Sequence, residues 1–352
     1  MTHRVEQDRQ SAAALPRLAL TGADLDRTAD LRAVPDIIER LLAAPSTAVV
    51  ELRDGRVPVR WSDDGRQAIL RRAPEAADAG RLAIVMGDDP TTGTPCVVVV
   101  CAEPPPAPDG TPADSRPGDP HSVGPVEWLG LRQSGGALSA ADADLCATAL
   151  GMANWHEAQQ FCPRCGHATE PALGGWIRRC LADGVEHYPR TDPAVIVAVT
   201  DDADRMLFGR GIAWPEGQFS MLAGFVEPGE SFETAAAREV HEESGVTIAD
   251  VRYLGSQPWP FPASIMVAMS ARAVTTATHP APGEMAEVLW LSREEYAERL
   301  RSGSIRVPGG ISVARRMITR WLGADPADVA GDARLVPWQV VAPSNPVAAT
   351  TD

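Results

Sequence analysis

The stretch that decides the fold runs from Gly224 to Val246 and reads GFVEPGESFETAAAREVHEESGV. Gly224 to Glu230 is a glycine-rich loop. From Ser231 to Ser244 the apolar spacing is that of a helix, with Ser231 as N-cap and Gly245 just past the end. Glu239, Glu242 and Glu243 stand at i, i+3 and i+4, so a helix brings them to one face. Like charges placed so close repel, and the array costs stability unless a cation lies over it. Hard divalent cations take oxygen ligands, and Mg²⁺ uses a few carboxylates together with waters and substrate phosphates. A carboxylate cluster facing a glycine loop therefore points to a metal–polyphosphate site, where cations offset developing charge and acidify an attacking water. The competing, ordinary reading of glutamates on a helix is a solvated acidic face.

The flanks fit a sheet with helices on it. Ala194–Val199 (AVIVAV) is a continuous apolar strand, and Arg205–Phe208 reads as a second strand across a DDAD turn. Strand-like runs recur at Val251–Leu254, Ile265–Ala271 and Val288–Leu291, and helices are expected at Arg293–Arg301 and Ile311–Leu322. Towards the N-terminus, Ala48–Leu52 and Cys96–Cys101 look like buried strands, and residues 136–160 have helical spacing. Residues 103–125 are rich in Pro, Asp and Gly and read as a mobile loop or insertion. The tail from 323 is Ala/Pro/Asp-rich and reads as loose. No internal repeat of about 20–50 residues is evident.

Composition narrows the function classes. At 352 residues the chain exceeds one small domain, and 44% hydrophobic residues suffice for a core. Acidic side chains number 47 and basic ones 32, a net charge of −15, which disfavours a fold-wide cationic surface for long nucleic acid. No run of about 18 uncharged apolar residues exists, so no membrane-spanning helix is expected. The N-terminus, MTHRVEQDRQ, is polar without an apolar secretory core, so a cytoplasmic location is expected. The six cysteines do not read as a disulfide framework.

The whole string from Gly224 fits Gly-x5-Glu-x7-Arg-Glu-U-x-Glu-Glu-x-Gly-U, U being aliphatic, without a mismatch. At background frequencies a chance match is on the order of one in a million. The chain thus resembles the Nudix hydrolase family. The resemblance implies an α+β fold: a Nudix α/β/α sandwich with a mixed sheet, preceded by a small zinc ribbon and an N-terminal α/β domain. It implies that Glu239, Glu242 and Glu243 hold two to three Mg²⁺ or Mn²⁺ ions, with Glu242 or Glu243 also assisting deprotonation of water. Ala223 matches a backbone-carbonyl metal contact, and Glu230 and Arg238 match a structural ion pair.

About ten residues beyond that box stands Ser256-Gln-Pro-Trp-Pro-Phe-Pro-Ala-Ser264. Prolines alternating with Trp259 and Phe261 make a stiff extended segment with two flat faces for stacking a base. Taken alone, the string also reads as a proline-rich core loop. After a Nudix box it resembles the SQPWPFPxS array of the NADH pyrophosphatase subgroup. That resemblance implies dinucleotide contacts from Gln257, Pro258, Trp259, Pro260, Phe261, Pro262, Ala263 and Ser264. It further implies Glu284 as a metal-binding carboxylate, with neighbouring Glu287 as the alternative, and Arg132, Tyr188 and Ala314 as substrate contacts. The implied reaction is hydrolysis of the pyrophosphate of NADH or NAD⁺ to NMN(H) and AMP. An NAD-capped RNA 5′ end contains the same bond and is a further expected substrate, for which Arg178, Arg179, Arg315 and Arg316 offer local cations. The subgroup implies a homodimer. The rivals are a Nudix hydrolase of another nucleoside diphosphate derivative, such as ADP-ribose, and a non-catalytic nucleotide-sensing module.

Cys162-Pro-Arg-Cys165-Gly is a zinc-knuckle shape, and Cys180 follows after fourteen residues. The second pair is broken, because Asp183 occupies the place of a fourth cysteine. Asp183, His187 or His167 as fourth ligand, or a metal-free site, all remain open readings. One structural Zn²⁺ per chain is expected. Cys96, Cys101 and Cys146 lack such spacing and read as buried structural residues. The expected organisation is an N-terminal domain over 1–157, a zinc-ribbon segment over 158–190, the Nudix domain over 191–322 and a tail over 323–352.

Overall fold

The computed structural model describes residues 14–16, 18–22, 26–61, 67–89, 91–103 and 126–331. Most of the 103–125 insertion and the tail beyond 331 lie outside the described residues. The described residues form two compact units, one within 19–192 and 257–265, the other within 14–18, 193–256 and 266–331.

The first unit opens with short helices α1 (Ala29–Arg32) and α2 (Ile37–Ala43). Its six-stranded sheet holds β1 (Ala48–Arg53), β2 (Arg56–Trp61), β3 (Gln67–Ile69), β4 (Leu82–Asp88), β5 (Pro95–Cys101) and β6 (Val126–Gly130). The order is β3-β2-β1-β5-β4, with β6 on β2, and β1 and β5 run parallel among otherwise antiparallel pairs. The apolar runs of β1 and β5 pair in register from Ala48–Cys96 to Arg53–Cys101. Helices α3 (Leu131–Ser134) and α4 (Ala140–Ala158) follow. The latter starts later than its apolar spacing suggested, because Ser139 caps it by accepting from the Asp142 N–H. A small antiparallel sheet of β7 (Thr169–Ala172), β8 (Ile177–Cys180) and β9 (Glu186–His187) completes the zinc-ribbon segment. Cys96, Cys101 and Cys146 are buried free thiols.

The second unit is built around β10 (Asp192–Thr200), followed by β11 (Met206–Gly211), β12 (Leu222–Phe225) and helix α5 (Phe232–Ser244). Then come β13 (Ile248–Trp259), β14 (Ser264–Ala273), β15 (Met285–Leu291), α6 (Arg293–Arg301), α7 (Val313–Leu322) and α8 (Pro326–Ala330). The sheet order is β13-β14-β10-β11-β15, with β12 paired to β10. Strand β10 shows why the layers form. Val195, Val197 and Val199 enter one apolar cluster with Ala235, Ala236 and Val240 of α5. Ile196 and Ala198 enter the other, with Tyr296 and Leu300 of α6 and Met317, Ile318 and Trp321 of α7. Successive side chains point to opposite faces, so a strand covered on both sides is apolar throughout. The result is the expected α/β/α sandwich. Within it Tyr296 stacks on Phe208 at 4.9 Å, and Trp321 meets both rings edge-on.

One expectation is corrected here: residues 326–330 are not loose but form α8. Asp325 caps it, Pro326 occupies its first turn, and Arg315 binds Asp325, so the short helix closes over α7.

Among the described residues no helix is long and apolar enough to cross a membrane.

Candidate active site and zinc-ribbon site

Helix α5 begins where the Ser231 hydroxyl accepts from the Thr234 N–H and ends at Gly245 with φ 73°. Both ends are as the sequence dictates. The glycine loop then lies against the carboxylate face. The Glu239 carboxyl sits on the backbone of Gly224; a Cβ there would come within 2.0 Å of Glu239 Cδ. Glu243, only 8% exposed, accepts from the Ala223 N–H at 3.2 Å. Thus β12 presents Ala223 and Gly224 to the two most enclosed glutamates.

Arg238 ties the array together. Its guanidinium donates to Glu230 at 2.7 and 2.8 Å, to Glu239 and Glu242 at 2.9 Å each, and to the Phe225 carbonyl at 2.9 Å. Sequence reasoning gave the Glu230 contact alone. The reach to Glu239 and Glu242 depends on the loop's path, which no spacing rule supplies. Electrostatics follow from this arrangement. The Glu230 carboxyl is held down at about 2 by Arg238 and the Glu227 N–H. Glu239 is raised by burial, with Arg238 pulling against it and Glu242 and Glu284 pushing further. Glu243 is pushed up to about 8, by burial first and then by the charges of Glu239, Glu284 and Glu242. A carboxyl so displaced, among three others, is a group waiting for a cation. This donor set of carboxylate oxygens fits a hard divalent ion.

Glu284 therefore lies within electrostatic reach of Glu239 and Glu243. Glu287, the alternative, is turned to Arg210 at 3.1 Å. Ala314 sits at the start of α7, 2% exposed, with its N–H donated to the Ser312 hydroxyl. Its side chain is thus in the core.

The aromatic array belongs to the first unit. It is extended only as far as Trp259, and residues 260–263 form the turn between β13 and β14. This corrects the expectation of one extended segment. Proline fixes φ near −65°, which suits a turn as well as an extended chain, and the Phe261 N–H folds back to the Trp259 carbonyl at 2.7 Å. Trp259 and Phe261 meet edge to face, with centroids 5.0 Å apart. Arg132 lies over Phe261 at 3.9 Å and Trp259 at 5.4 Å. Burial lowers its pKa, and its Nε has no hydrogen-bond partner. Gln257 is fully buried and donates to the Ala19 carbonyl, while the Asp192 N–H donates to the Ala263 carbonyl. Pro258 is half-buried, Pro260 is buried, Pro262 is exposed, and Ser264 is 8% exposed. Tyr188 is exposed, its hydroxyl donating to Glu186.

Of the four arginines read as local cations, Arg178 is corrected. It is buried, donating to Thr169 and to Nδ1 of His156, whose Nε2 faces the Gly175 carbonyl at 2.7 Å. Arg179 is paired with Glu186 and Arg315 with Asp325, while Arg316 is exposed.

In the ribbon, two similar knuckles face each other. The Gly166 N–H donates to the Cys162 carbonyl at 2.9 Å, and the Gly184 N–H donates to the Cys180 carbonyl at 3.0 Å. Gly166 and Gly184 have φ of 73° and 71°, so Asp183 keeps the backbone form of a knuckle cysteine. Ligand atoms of Cys162, Cys165, Cys180 and Asp183 all lie within 4.8 Å of one another. Burial opposes ionisation of Cys162, yet the amides of Arg164 and Cys165, the Cys165 thiol and His187 bring it down to about 7. Three thiols and a carboxylate at this spacing fit a tetrahedral Zn²⁺. His167 is exposed and lies outside this quartet.

Residues 190–307 match the NUDIX domain, residues 157–188 the NADH pyrophosphatase zinc ribbon domain, and residues 42–155 the NADH pyrophosphatase-like rudimentary NUDIX domain. Over 210 residues the chain is 43% identical to the NAD-capped RNA hydrolase NudC of Mycobacterium bovis (strain BCG / Pasteur 1173P2), covering 57% of this chain and 67% of that protein. The chain belongs to the Nudix hydrolase family. It is also 39% identical over 201 residues to the NAD-capped RNA hydrolase NUDT12 of Homo sapiens, covering 54% of this chain and 44% of that one. A crystal structure of a NUDIX hydrolase from Nitrosomonas europaea covers 47% of this chain and 94% of its own, with 20% identity and a TM-score of 0.38. Membership gives the carboxylate helix the setting of a divalent-metal-dependent hydrolase, and the ribbon that of a zinc site.

Proposed function

We propose that this Nudix hydrolase cleaves the pyrophosphate bond of NADH and NAD⁺, giving NMN(H) and AMP, and that it cleaves the same bond in NAD-capped RNA 5′ ends, releasing NMN and leaving a 5′-monophosphate end. The observation that carries the reading is the enclosed carboxylate cluster: Glu243, 8% exposed, accepts from the Ala223 N–H while the Glu239 carboxyl rests on Gly224. An isolated acidic face would leave such a group solvated and ordinary.

Glu239, Glu242, Glu243 and Glu284, with the Ala223 carbonyl, would hold two to three Mg²⁺ or Mn²⁺ ions. When bound, these supply positive charge to the diphosphate and acidify water. Arg238 keeps Glu239 and Glu242 oriented from one side, and Gly224 leaves room for Glu239. Glu242 or Glu243 accepts the proton of the attacking water. Trp259 and Phe261 offer ring faces to a base, Arg132, Tyr188 and the other residues of Gln257–Ser264 add dinucleotide contacts, and Ala314, its side chain in the core, contributes through its main chain. Cys162, Cys165, Cys180 and Asp183 would hold one structural Zn²⁺; four protein ligands leave no open position for chemistry. The division into 1–157, 158–190 and 191–322 follows this assignment of roles, and a homodimer is carried with it by analogy to the subgroup the sequence resembles.

The test is a substrate panel of NADH, NAD⁺, ADP-ribose and an NAD-capped oligonucleotide, with Mn²⁺, scored by AMP or monophosphate-end release. Preference for the dinucleotides supports the reading. Preference for ADP-ribose would move the protein to another Nudix class, and binding without hydrolysis would make it a sensor.

A further inference from the structure

Asn154 stands in the last turns of α4, far from the aromatic turn in sequence. Its side-chain amide donates to two carbonyls of that turn, Pro260 at 3.1 Å and Pro262 at 3.0 Å. Because both partners are acceptors, only the NH₂ end can make both bonds. The two bonds straddle Phe261. One helical turn earlier, Gly151 faces Pro260: a Cβ there would sit in ordinary contact, 3.5 Å from the Pro260 Cβ.

The turn needs such help. Pro260 and Pro262 within the turn, and Pro258 just before it, have no N–H, so this segment lacks three backbone donors. Its carbonyls must find donors elsewhere or face solvent. Asn154 supplies two donors, the Asp192 N–H a third at 2.7 Å, and the buried Gln257 secures the entry by donating to the Ala19 carbonyl at 3.0 Å. Arg132 lies over Phe261 from the same N-terminal unit. The rings of Trp259 and Phe261 are therefore aimed by residues well outside the aromatic string.

We propose that Asn154 is a positioning residue for ring recognition: it fixes the Trp259–Phe261 pair so that the flat base of a dinucleotide finds a pre-set stacking face. This rests on the reading that the array receives a nucleotide base. It also gives the rudimentary N-terminal domain a task in that reaction, as the frame of the base-binding turn.

The experiment compares Asn154→Asp and Asn154→Ala with the unaltered protein. Asp is nearly isosteric but puts a carboxylate against two carbonyl oxygens; Ala removes the bonds without adding charge. KM and kcat are measured for NAD⁺ with Mn²⁺, alongside near-ultraviolet circular dichroism and thermal midpoint. The expected result is a KM raised about tenfold in Asn154→Asp, the loss of two net hydrogen bonds. A smaller rise is expected in Asn154→Ala, with kcat within about twofold in both, because the carboxylates are untouched. The near-ultraviolet spectrum changes, since a Trp held edge-on to a Phe contributes to it. Unchanged KM and spectrum in Asn154→Asp would overturn the proposal, as would a fall in kcat at constant KM. If Asn154→Asp does not fold, Asn154→Ala carries the same comparison. If the unaltered protein does not turn over NAD⁺, the functional reading fails, and the spectrum still decides whether Asn154 holds the rings.

Discussion

The carboxyl group of Glu239 rests on the α-carbon of Gly224, so closely that a methyl group there would lie 2.0 Å from Cδ and 2.1 Å from both oxygens. Gly224 is therefore a glycine of space, not of backbone angle. Gly224→Ala is expected to push Glu239 off its position. A displacement of about 1 Å at a catalytic centre costs on the order of a hundredfold in rate, while overpacking costs about 1–3 kcal/mol in stability. Hydrolysis of NAD⁺ with Mn²⁺ and a thermal melt check both. A variant with full activity would show that Glu239 has slack which the packing does not suggest.

Glu243 makes stability depend on pH in an unusual direction. Its carboxyl in the metal-free protein rises to about 8 from an ordinary 4.5, mainly through burial and then through Glu239. The folded state then binds the proton more tightly than the unfolded chain. Its stability contribution is complete below the unfolded value and is lost as pH rises through the folded one. Chelator-treated protein should thus lose thermal stability relative to equally treated Glu243→Gln from about pH 5 to pH 8, by an amount on the order of a few kcal/mol, a comparison that cancels the opposite contribution of buried His156, held down to about 4. Glu230, held down near 2, titrates below this window and does not mask it. Mn²⁺ should restore the midpoint, and more so at the alkaline end. Glu243→Gln mimics the protonated form: it should flatten the slope, raise the metal-free midpoint near pH 8 and remove nearly all turnover. No difference in slope between the unaltered protein and Glu243→Gln would contradict the burial argument.

The carboxylate helix was legible because its signals are local: a cap at Ser231, a stop at Gly245 and charges at i, i+3 and i+4. Strand β10 was legible because burial on both faces makes it apolar throughout. Four features were not. Arg238 reaches Glu239 and Glu242 only because the loop from Gly224 folds back over α5. Asn154 meets the aromatic turn across a gap in sequence that periodicity cannot bridge. The N-terminal domain was legible as a domain from its apolar strands, but its Nudix kinship over 42–155 was not, because it lacks the carboxylate box. Helix α8 was hidden by composition: an Ala/Pro/Asp-rich stretch looks loose until Asp325 is seen to cap it and bind Arg315.

Arg238 donates to three glutamates and one carbonyl, and its positive charge is firmly held by Glu230 first among them. Its planar fork serves several acceptors at once, which an ammonium does not. Arg238→Lys should therefore keep the charge but lose the geometry. The expected outcome is a fall in kcat of roughly tenfold to a hundredfold with the metal requirement moved to higher Mn²⁺ concentration. Arg238→Met should be worse, leaving Glu230 and Glu239 without their cation. Manganese titrations of initial rate separate the two effects. If Lys matched Arg in both rate and Mn²⁺ dependence, the fork would be shown to have no role beyond its charge.

Asp183 stands in a knuckle whose backbone is that of its cysteine counterpart, and its carboxylate oxygen lies within 4.8 Å of the thiols of Cys162, Cys165 and Cys180. The same carboxylate accepts the Val185 N–H at 3.1 Å, which steadies it without exhausting its lone pairs. Carboxylate is acceptable to Zn²⁺ but harder than thiolate, so the site should hold about one zinc per chain and release it to a chelator more readily than four thiolates would. Asp183→Cys should keep the stoichiometry and resist chelation better. Asp183→Ala should weaken retention by at least about tenfold and lower the thermal midpoint, because a ribbon this small leans on its metal. His187 is the internal control: it neighbours Cys162 but lies outside the quartet. Metal content after graded chelation decides the matter. Were Asp183→Ala to keep its zinc while His187→Ala lost it, the fourth ligand would be the imidazole, and the knuckle form of residues 180–184 would be a relic without a metal bond.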